Sequence, residues 1–307
     1  MGSIRDLSDG KTRVLEPEHT VGRAPTAALK LPHRYVSAQH AAFRWNGVRW
    51  QLRDLGSRNG TFLDGTRLSP GEEHPVRLGS KIAFGKAADT PWEMIDESAP
   101  PVMAVPLDEG DPVVLDTDLL ALPSKDNPCA TIYRSPEGGW LLEYSDAPTA
   151  PIVNMQTFEV GGRVWRFCCA ENAPTTALAA SADLEVRSLL LSFYVSRDEE
   201  HVGLRVKHGA KSIDMGARTH NYLLLTLARR RMADAAEGLP DAACGWTYQD
   251  ELAHDPTMAP PQLNVDVFRI RRQFAAAGIV DASNVVERRP GTRQLRIGTG
   301  LLSVEQV

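Results

Sequence analysis

Three short patterns near the N-terminus bring together side chains that suit an anion. Gly22-Arg23 comes first, Ser37-x-x-His40 follows, and Asn59-Gly60-Thr61 closes the set directly after Arg58. A phosphate monoester carries about −1.5 to −2 charges and three strong acceptor oxygens. A protein that reads one needs a guanidinium, a hydroxyl and free backbone amides on preformed loops. Arg23, Ser37 and Arg58 supply candidates, and Gly22 and Gly60 permit tight turns in which a side chain would collide. Taken singly, each has a duller use: Gly22 as any turn glycine, Asn59-Gly60 as any hairpin tip, His40 as a satisfied core histidine. In this order and together they point to a phosphate site.

The elements that must position these residues are short strands. Turn signals at Asn46-Gly47, Asn59-Gly60 and Asp64-Gly65 alternate with β-prone stretches such as Ala42–Trp45 and Arg49–Leu52. Such turn density without helical periodicity predicts a β-sandwich over roughly the first 95 residues, with binding loops gathered at one end. The three patterns, with the Asp54-Leu55-Gly56-Ser57-Arg58 lead-in and the later Leu78-Gly79-Ser80-Lys81-Ile82, resemble the forkhead-associated (FHA) domain over about Arg13 to Ile95. The resemblance implies that Arg23 and Ser37 hold the phosphate, Asn59 bonds the neighbouring peptide backbone, and His40 braces the Ser37 loop. It also implies a preference for phosphothreonine. One departure from the family is Ala38, where many relatives place a basic residue.

A second constellation lies near the C-terminus. From Gln262 to Thr299 seven arginines (269, 271, 272, 288, 289, 293, 296) face three carboxylates, a net of +4 that leaves −9 for the rest of a chain whose net charge is −5. Leu263, Val267, Ile270 and Phe274 recur at helical spacing and predict a helix over about Pro261 to Ala277, stopped by Gly278. Arg218–Met232 and Thr247–Ala253 predict two helices before it. Strands are predicted before those, at Leu189–Val195, His201–Lys207 and Ser212–Met215, and a hairpin follows over Val285–Ile297. Strands, three helices and a hairpin resemble the winged-helix domain of OmpR/PhoB-type response regulators over about Leu184 to Thr299. With the apolar stripe inward, Asn264, Phe268, Arg271 and Arg272 fall on other faces and Arg269 toward one flank. In that family a helix enters the major groove and the wing meets the backbone. The resemblance therefore implies DNA contacts from Asn264, Phe268, Arg269, Arg271 and Arg272, and from Arg288, Arg289 and Arg293 on the wing. Two departures are Gln273, where the family has a basic residue, and the long connection from Ala233 to Gly245.

Between the two, Ile95 to Asp126 is proline-rich and acidic and reads as a linker or edge, with a resting-state cover for the arginines as a further reading. Strands are predicted at Ala130–Tyr133, Trp140–Tyr144 and Val164–Phe167. Trp140-Leu-Leu-Glu-Tyr echoes Trp50-Gln-Leu-Arg-Asp, so this segment reads as β-rich, with a degenerate FHA-like repeat as an alternative. The expected fold class is multidomain: an all-β sandwich over 1–97, the acidic and β-rich segment over 98–182, and an α+β winged helix-turn-helix domain over 183–300.

Composition narrows the function classes. Hydrophobic residues at 42% and charged residues at 24% are those of a globular chain. No apolar run approaches the ~20 residues of a membrane helix, and no signal peptide opens the chain, so the expected compartment is the cytoplasm, and the resemblance to response regulators implies a bacterial one. Four cysteines at 129, 168, 169 and 244 lack paired spacing, so no metal or disulfide framework is expected. No P-loop, nucleophile-base spacing or histidine constellation appears, so neither enzyme activity nor a cofactor is expected. The function implied is a phosphothreonine-dependent transcriptional regulator whose partners are a phosphothreonine-bearing protein, a Ser/Thr kinase or its substrate, and double-stranded DNA. The alternative is a phosphopeptide-binding adaptor whose winged helix contacts protein.

Overall fold

The structure is a computed structural model and describes all residues except 87–91, 109, 136–137, 145–146, 171–183, 253–259 and 290. The chain divides into two compact units, the first built on Met1–Met103 and the second on Ala104–Val153, Thr157–Arg166 and the C-terminal part.

The first unit is a β-sandwich. One sheet has six strands, with Ser3–Asp6, Trp92–Asp96, Lys81–Phe84 and Thr61–Leu63 at its centre. The other has five, with Glu18–Gly22, Ala41–Trp45 and Trp50–Asp54 at its centre. Trp50–Asp54 shows why: Trp50, Leu52 and Asp54 are buried while Gln51 and Arg53 are more exposed, the period of two that fits a pleated strand with one inward face. Ile4, Val21, Phe43, Trp50, Leu52, Ile82 and Met94 from both sheets fill the core at 0% exposure.

In the second unit the stretch from 104 is not a linker. Strands form at Met103–Pro106, Val113–Val114 and Leu119–Leu122, and Leu119 to Leu122 are all buried. Acidic and proline residues flank an apolar quartet that needs a partner, which it finds in Ala130–Arg134. Two four-stranded sheets result, one of which runs Leu119–Leu122, Ala130–Arg134, Trp140–Tyr144 and Ala150–Ile152.

The C-terminal part opens with strands Leu190–Val195, Val202–His208 and Lys211–Ala217. Helix α1 (Asn221–Ala236), a short strand at Thr247–Tyr248, α2 (Gln249–Leu252) and α3 (Pro260–Ala276) follow, and then the hairpin Val286–Arg289 with Gln294–Ile297. The expected boundary near residue 300 falls short, because Leu302–Gln306 adds to Leu190–Val195 as a parallel edge strand. The α3 stop is as expected: Gly278 adopts φ +81°, and Ile279 N–H returns to the Phe274 carbonyl at 3.2 Å. Leu263, Val267, Ile270 and Phe274 are buried in one core with α1 and the sheet. No helix among the described residues is long and apolar enough to cross a membrane.

Candidate functional site

The N-terminal patterns converge on three loops at one end of the sandwich. The first loop leaves strand Glu18–Gly22, and Arg23 N–H donates to the Ser37 carbonyl at 2.9 Å, so the Arg23 and Ser37 loops are stitched together by backbone. Gly22 allows this approach: a Cβ there would lie 2.1 Å from the Ala38 carbonyl oxygen. Arg23 is exposed, and its Nε donates to the Val36 carbonyl at 3.4 Å, which tethers the guanidinium beside Ser37.

Ser37 Oγ accepts a hydrogen bond from Arg58 N–H at 3.1 Å. Its hydroxyl proton remains available to an incoming anion, because a hydroxyl can accept and donate at once. Asn59 Nδ2 donates to the Tyr35 carbonyl at 2.8 Å, fastening the third loop to the second. The two stretches that hold the three loops, 22–40 and 55–60, carry Arg23, Lys30, Arg34 and Arg58 and no carboxylate, in a chain that is acidic overall. That local excess of positive charge favours a dianion.

His40 lies under these loops at 0% exposure. Its Nδ1 accepts from Ser37 N–H at 3.0 Å and its Nε2 faces the Gly60 carbonyl at 3.1 Å, so the proton sits on Nε2 and the ring is neutral. Burial pushes its pKa below the usual 6.5, with the Gly60 carbonyl and Asp54 opposing. Gly60 holds φ +91°, in the left-handed region that a side chain resists, and Gly85 N–H donates to its carbonyl at 2.8 Å.

Sequence reasoning named the group that shapes the third loop only within the family's lead-in and gave it no role. Asp54, 1% exposed, accepts from Gly56 N–H and Ser57 N–H at 2.9 Å each and from the Ser57 and Thr61 hydroxyls at 2.6 Å each. Burial pushes its pKa up, but the bonds from Ser57, Thr61 and Gly56 outweigh it and hold the carboxyl below 3.8. The signal was present as the Asp54-x-Gly56-Ser57 spacing, an Asx-type turn whose side chain bonds the backbone ahead of it.

The C-terminal arginines are placed differently from expectation. Phe268 is 2% exposed and packs with Leu119, Ala121 and Tyr133. Arg271 is 2% exposed; its two terminal nitrogens donate to Glu143 at 2.8 and 3.2 Å, and one of them also to the Val286 carbonyl at 2.7 Å. Arg288 Nε donates to the same carboxylate at 2.8 Å, and its Nη2 to Asn264 Oδ1 at 3.2 Å. Burial pushes Glu143 up, and the charges of Arg271 and Arg288 more than compensate and keep it ionised. Beside it burial, then the Glu143 charge, raises Tyr133 to about 12. Arg272 pairs with Asp116 at 3.0 Å. DNA-facing roles for Phe268, Arg271 and Arg288 are therefore corrected for this arrangement, since strands from 119 to 144 cover them. Arg269, Arg289 and Arg293 are exposed; Arg289 stacks over Trp246 and Arg293 lies 3.8 Å from Asp250.

The family model of the FHA domain matches residues 19–85. The FHA domain-containing protein FhaB of Mycobacterium tuberculosis is 33% identical over 82 residues, 27% of this chain and 52% of that protein. The oxoglutarate dehydrogenase inhibitor of Corynebacterium glutamicum is 34% identical over 71 residues, 23% of this chain and 48% of its own. The chain thus spans about half the length of these curated relatives. A structure described as a study of phosphothreonine-dependent FHA domain interactions is 29% identical, with coverage of 33% of this chain and 99% of that one and a TM-score of 0.27.

Proposed function

Because residues 19–85 are an FHA domain, we propose that the chain is a phosphothreonine-dependent transcriptional regulator of the bacterial cytoplasm. Its FHA module captures a phosphothreonine on a Ser/Thr kinase or a kinase substrate, and its C-terminal module binds double-stranded DNA. It acts by binding and not by catalysis. The observation that carries the first half is the cradle itself. Arg23 is tethered beside Ser37, whose hydroxyl accepts from Arg58 N–H and keeps its own proton free, while Asn59 fixes the loop next to it. A guanidinium, a hydroxyl donor and a cation-rich rim fit a phosphate dianion.

Support for the second half is the element order. A sheet, α1, α2, α3 and the hairpin Val286–Ile297 follow in the sequence of a winged helix, and arginines line α3 and the hairpin. A second reading, an adaptor whose C-terminal module contacts protein, is favoured by one observation: Glu143 and Asp116 already pair Arg271, Arg288 and Arg272. Capture from a phosphothreonine peptide library by wild type and Arg23→Ala, with and without genomic DNA fragments, tests both halves. DNA binding driven by arginine weakens steeply with added salt. Wild type that selects no phosphopeptide ends the first half, and an absence of salt-sensitive DNA binding in any form of the chain leaves the adaptor.

A further inference from the structure

We propose that residues 104–153 are a built-in competitor for the basic face of α3, holding Phe268, Arg271, Arg272 and Arg288 away from duplex DNA until that face is uncovered. The inference rests on reading the C-terminal module as a DNA binder and adds how its access is controlled.

The helix itself gives the first reason. Its core stripe is Leu263, Val267, Ile270 and Phe274, buried with α1. A second stripe, Asn264, Phe268, Arg271 and Arg272, is centred roughly 110° around the helix at 3.6 residues per turn. A helix with one packed face would turn this stripe to solvent. Here Phe268 instead sits among Leu119, Ala121 and Tyr133, with Leu141 alongside.

The chemistry of the cover is the second reason. The groups that meet the arginines are carboxylates, Glu143 on strand Trp140–Tyr144 and Asp116 ahead of Leu119–Leu122. Carboxylate and phosphate both accept the two parallel N–H bonds of a guanidinium fork. Glu143 does so for Arg271, with Arg288 bound to one of the same oxygens. The same donors therefore cannot serve a DNA phosphate while Glu143 holds them.

The third reason is that the closure is imperfect. Arg271 Nε is buried and has no hydrogen-bond partner among the described residues. A buried ion pair is commonly no more stabilising than apolar residues of its size. Stability alone thus gives little cause for arginine at 271, whereas a face that also meets a polyanion does. In a closed-open equilibrium the apparent affinity for DNA is the intrinsic affinity scaled by the open fraction, so loosening the cover raises it.

The test uses the full chain and a fluorescein-labelled mixed-sequence duplex, with anisotropy followed across a potassium chloride series. Wild type is compared with Glu143→Gln, with Glu143→Gln plus Arg271→Ala, and with Ala121→Asp, which drives the cover off Phe268, and the arginines with it, without substituting any residue of the ion pairs. Circular dichroism checks folding, and hydrogen exchange over 264–274 reports opening. Both single variants should bind at least about tenfold tighter at low salt, with a slope of log K against log salt steeper by about 1.8 for two freed arginines. Adding Arg271→Ala should return about half of that steepening. If Glu143→Gln fails to fold, Ala121→Asp decides. Equal affinity and slope for wild type and an opened variant overturns the competitor and leaves DNA binding standing. No binding by any form, even one whose α3 exchange shows it open, overturns the DNA reading and this inference with it.

Discussion

Asp54→Asn is expected to loosen the loop that carries Arg58 and Asn59 while the sandwich stays folded. The wild-type carboxylate accepts four hydrogen bonds, two from backbone N–H groups and two from hydroxyls. Oδ2 alone takes the Ser57 and Thr61 hydroxyl protons. Asparagine keeps one acceptor and places an amide NH2 where the other stood, so one pair of bonds is lost or must reverse. A hydrogen bond to a charged group is worth about 1.5–3 kcal/mol net, and with both hydroxyls free to turn round we expect a loss of about 2–4 kcal/mol. Hydrogen exchange of peptides within 51–63 should then accelerate by about 30-fold or more, since each 1.4 kcal/mol is tenfold. Phosphopeptide affinity should drop by about tenfold or more, because the bound geometry is no longer preorganised. Asp54 also sets an acid limit. Its folded pKa lies below the ordinary 3.8, so its stabilisation is fully present above 3.8 and is lost as pH falls through the lower folded value. Unchanged exchange and unchanged affinity in Asp54→Asn would refute the idea that this carboxylate shapes the site.

Further expectations follow from neighbouring contacts. His40, buried and neutral, has a folded pKa below 6.5, so its contribution is present above that value and lost as pH falls through the folded one; the protection factors of the 36–40 amides, referred to intrinsic exchange at each pH, should fall on acidification, and protection that stays constant from neutral to strongly acid pH would contradict the His40 brace. Gly22→Ala would place a Cβ 2.1 Å from the Ala38 carbonyl oxygen, so the first two loops must part, at a cost of about 1–3 kcal/mol in urea unfolding of the sandwich. Phe268→Ala should destabilise the second unit by about 3–5 kcal/mol, the cost of emptying a buried aromatic site. A change within about 0.5 kcal/mol, usual for surface positions, would mean that Phe268 faces solvent.

How much of this could be read in the sequence depended on range. Gly22-Arg23, Ser37-x-x-His40 and Asn59-Gly60 were legible because each is a local spacing, and the turns that need Gly60 allow few other residues. Strand Trp140–Tyr144 was read to its ends from its run of β-prone residues, and α3 to within one residue from the helical spacing of Leu263, Val267, Ile270 and Phe274. Leu119–Leu122 was hidden in a stretch whose acidic and proline content suggests a linker, although four apolar residues in a row need burial. The edge strand Leu302–Gln306 is short and gains its place only from Leu190–Val195, far back in the chain. Glu143 was the least legible: it lies 128 residues from Arg271, and nothing local distinguishes it from a solvent-facing glutamate on a strand.

The most direct measurement concerns the cradle. Calorimetric titration of one phosphothreonine peptide and its unphosphorylated form is made against wild type, Arg23→Ala and Ser37→Ala, with circular dichroism to show that all three remain folded. Wild type should bind only the phosphorylated peptide, and each variant should lose about 1.5–3 kcal/mol, the worth of a hydrogen bond to a charged group. Equal affinity for both peptides, or folded variants that bind as tightly as wild type, would contradict a phosphate held between Arg23 and Ser37.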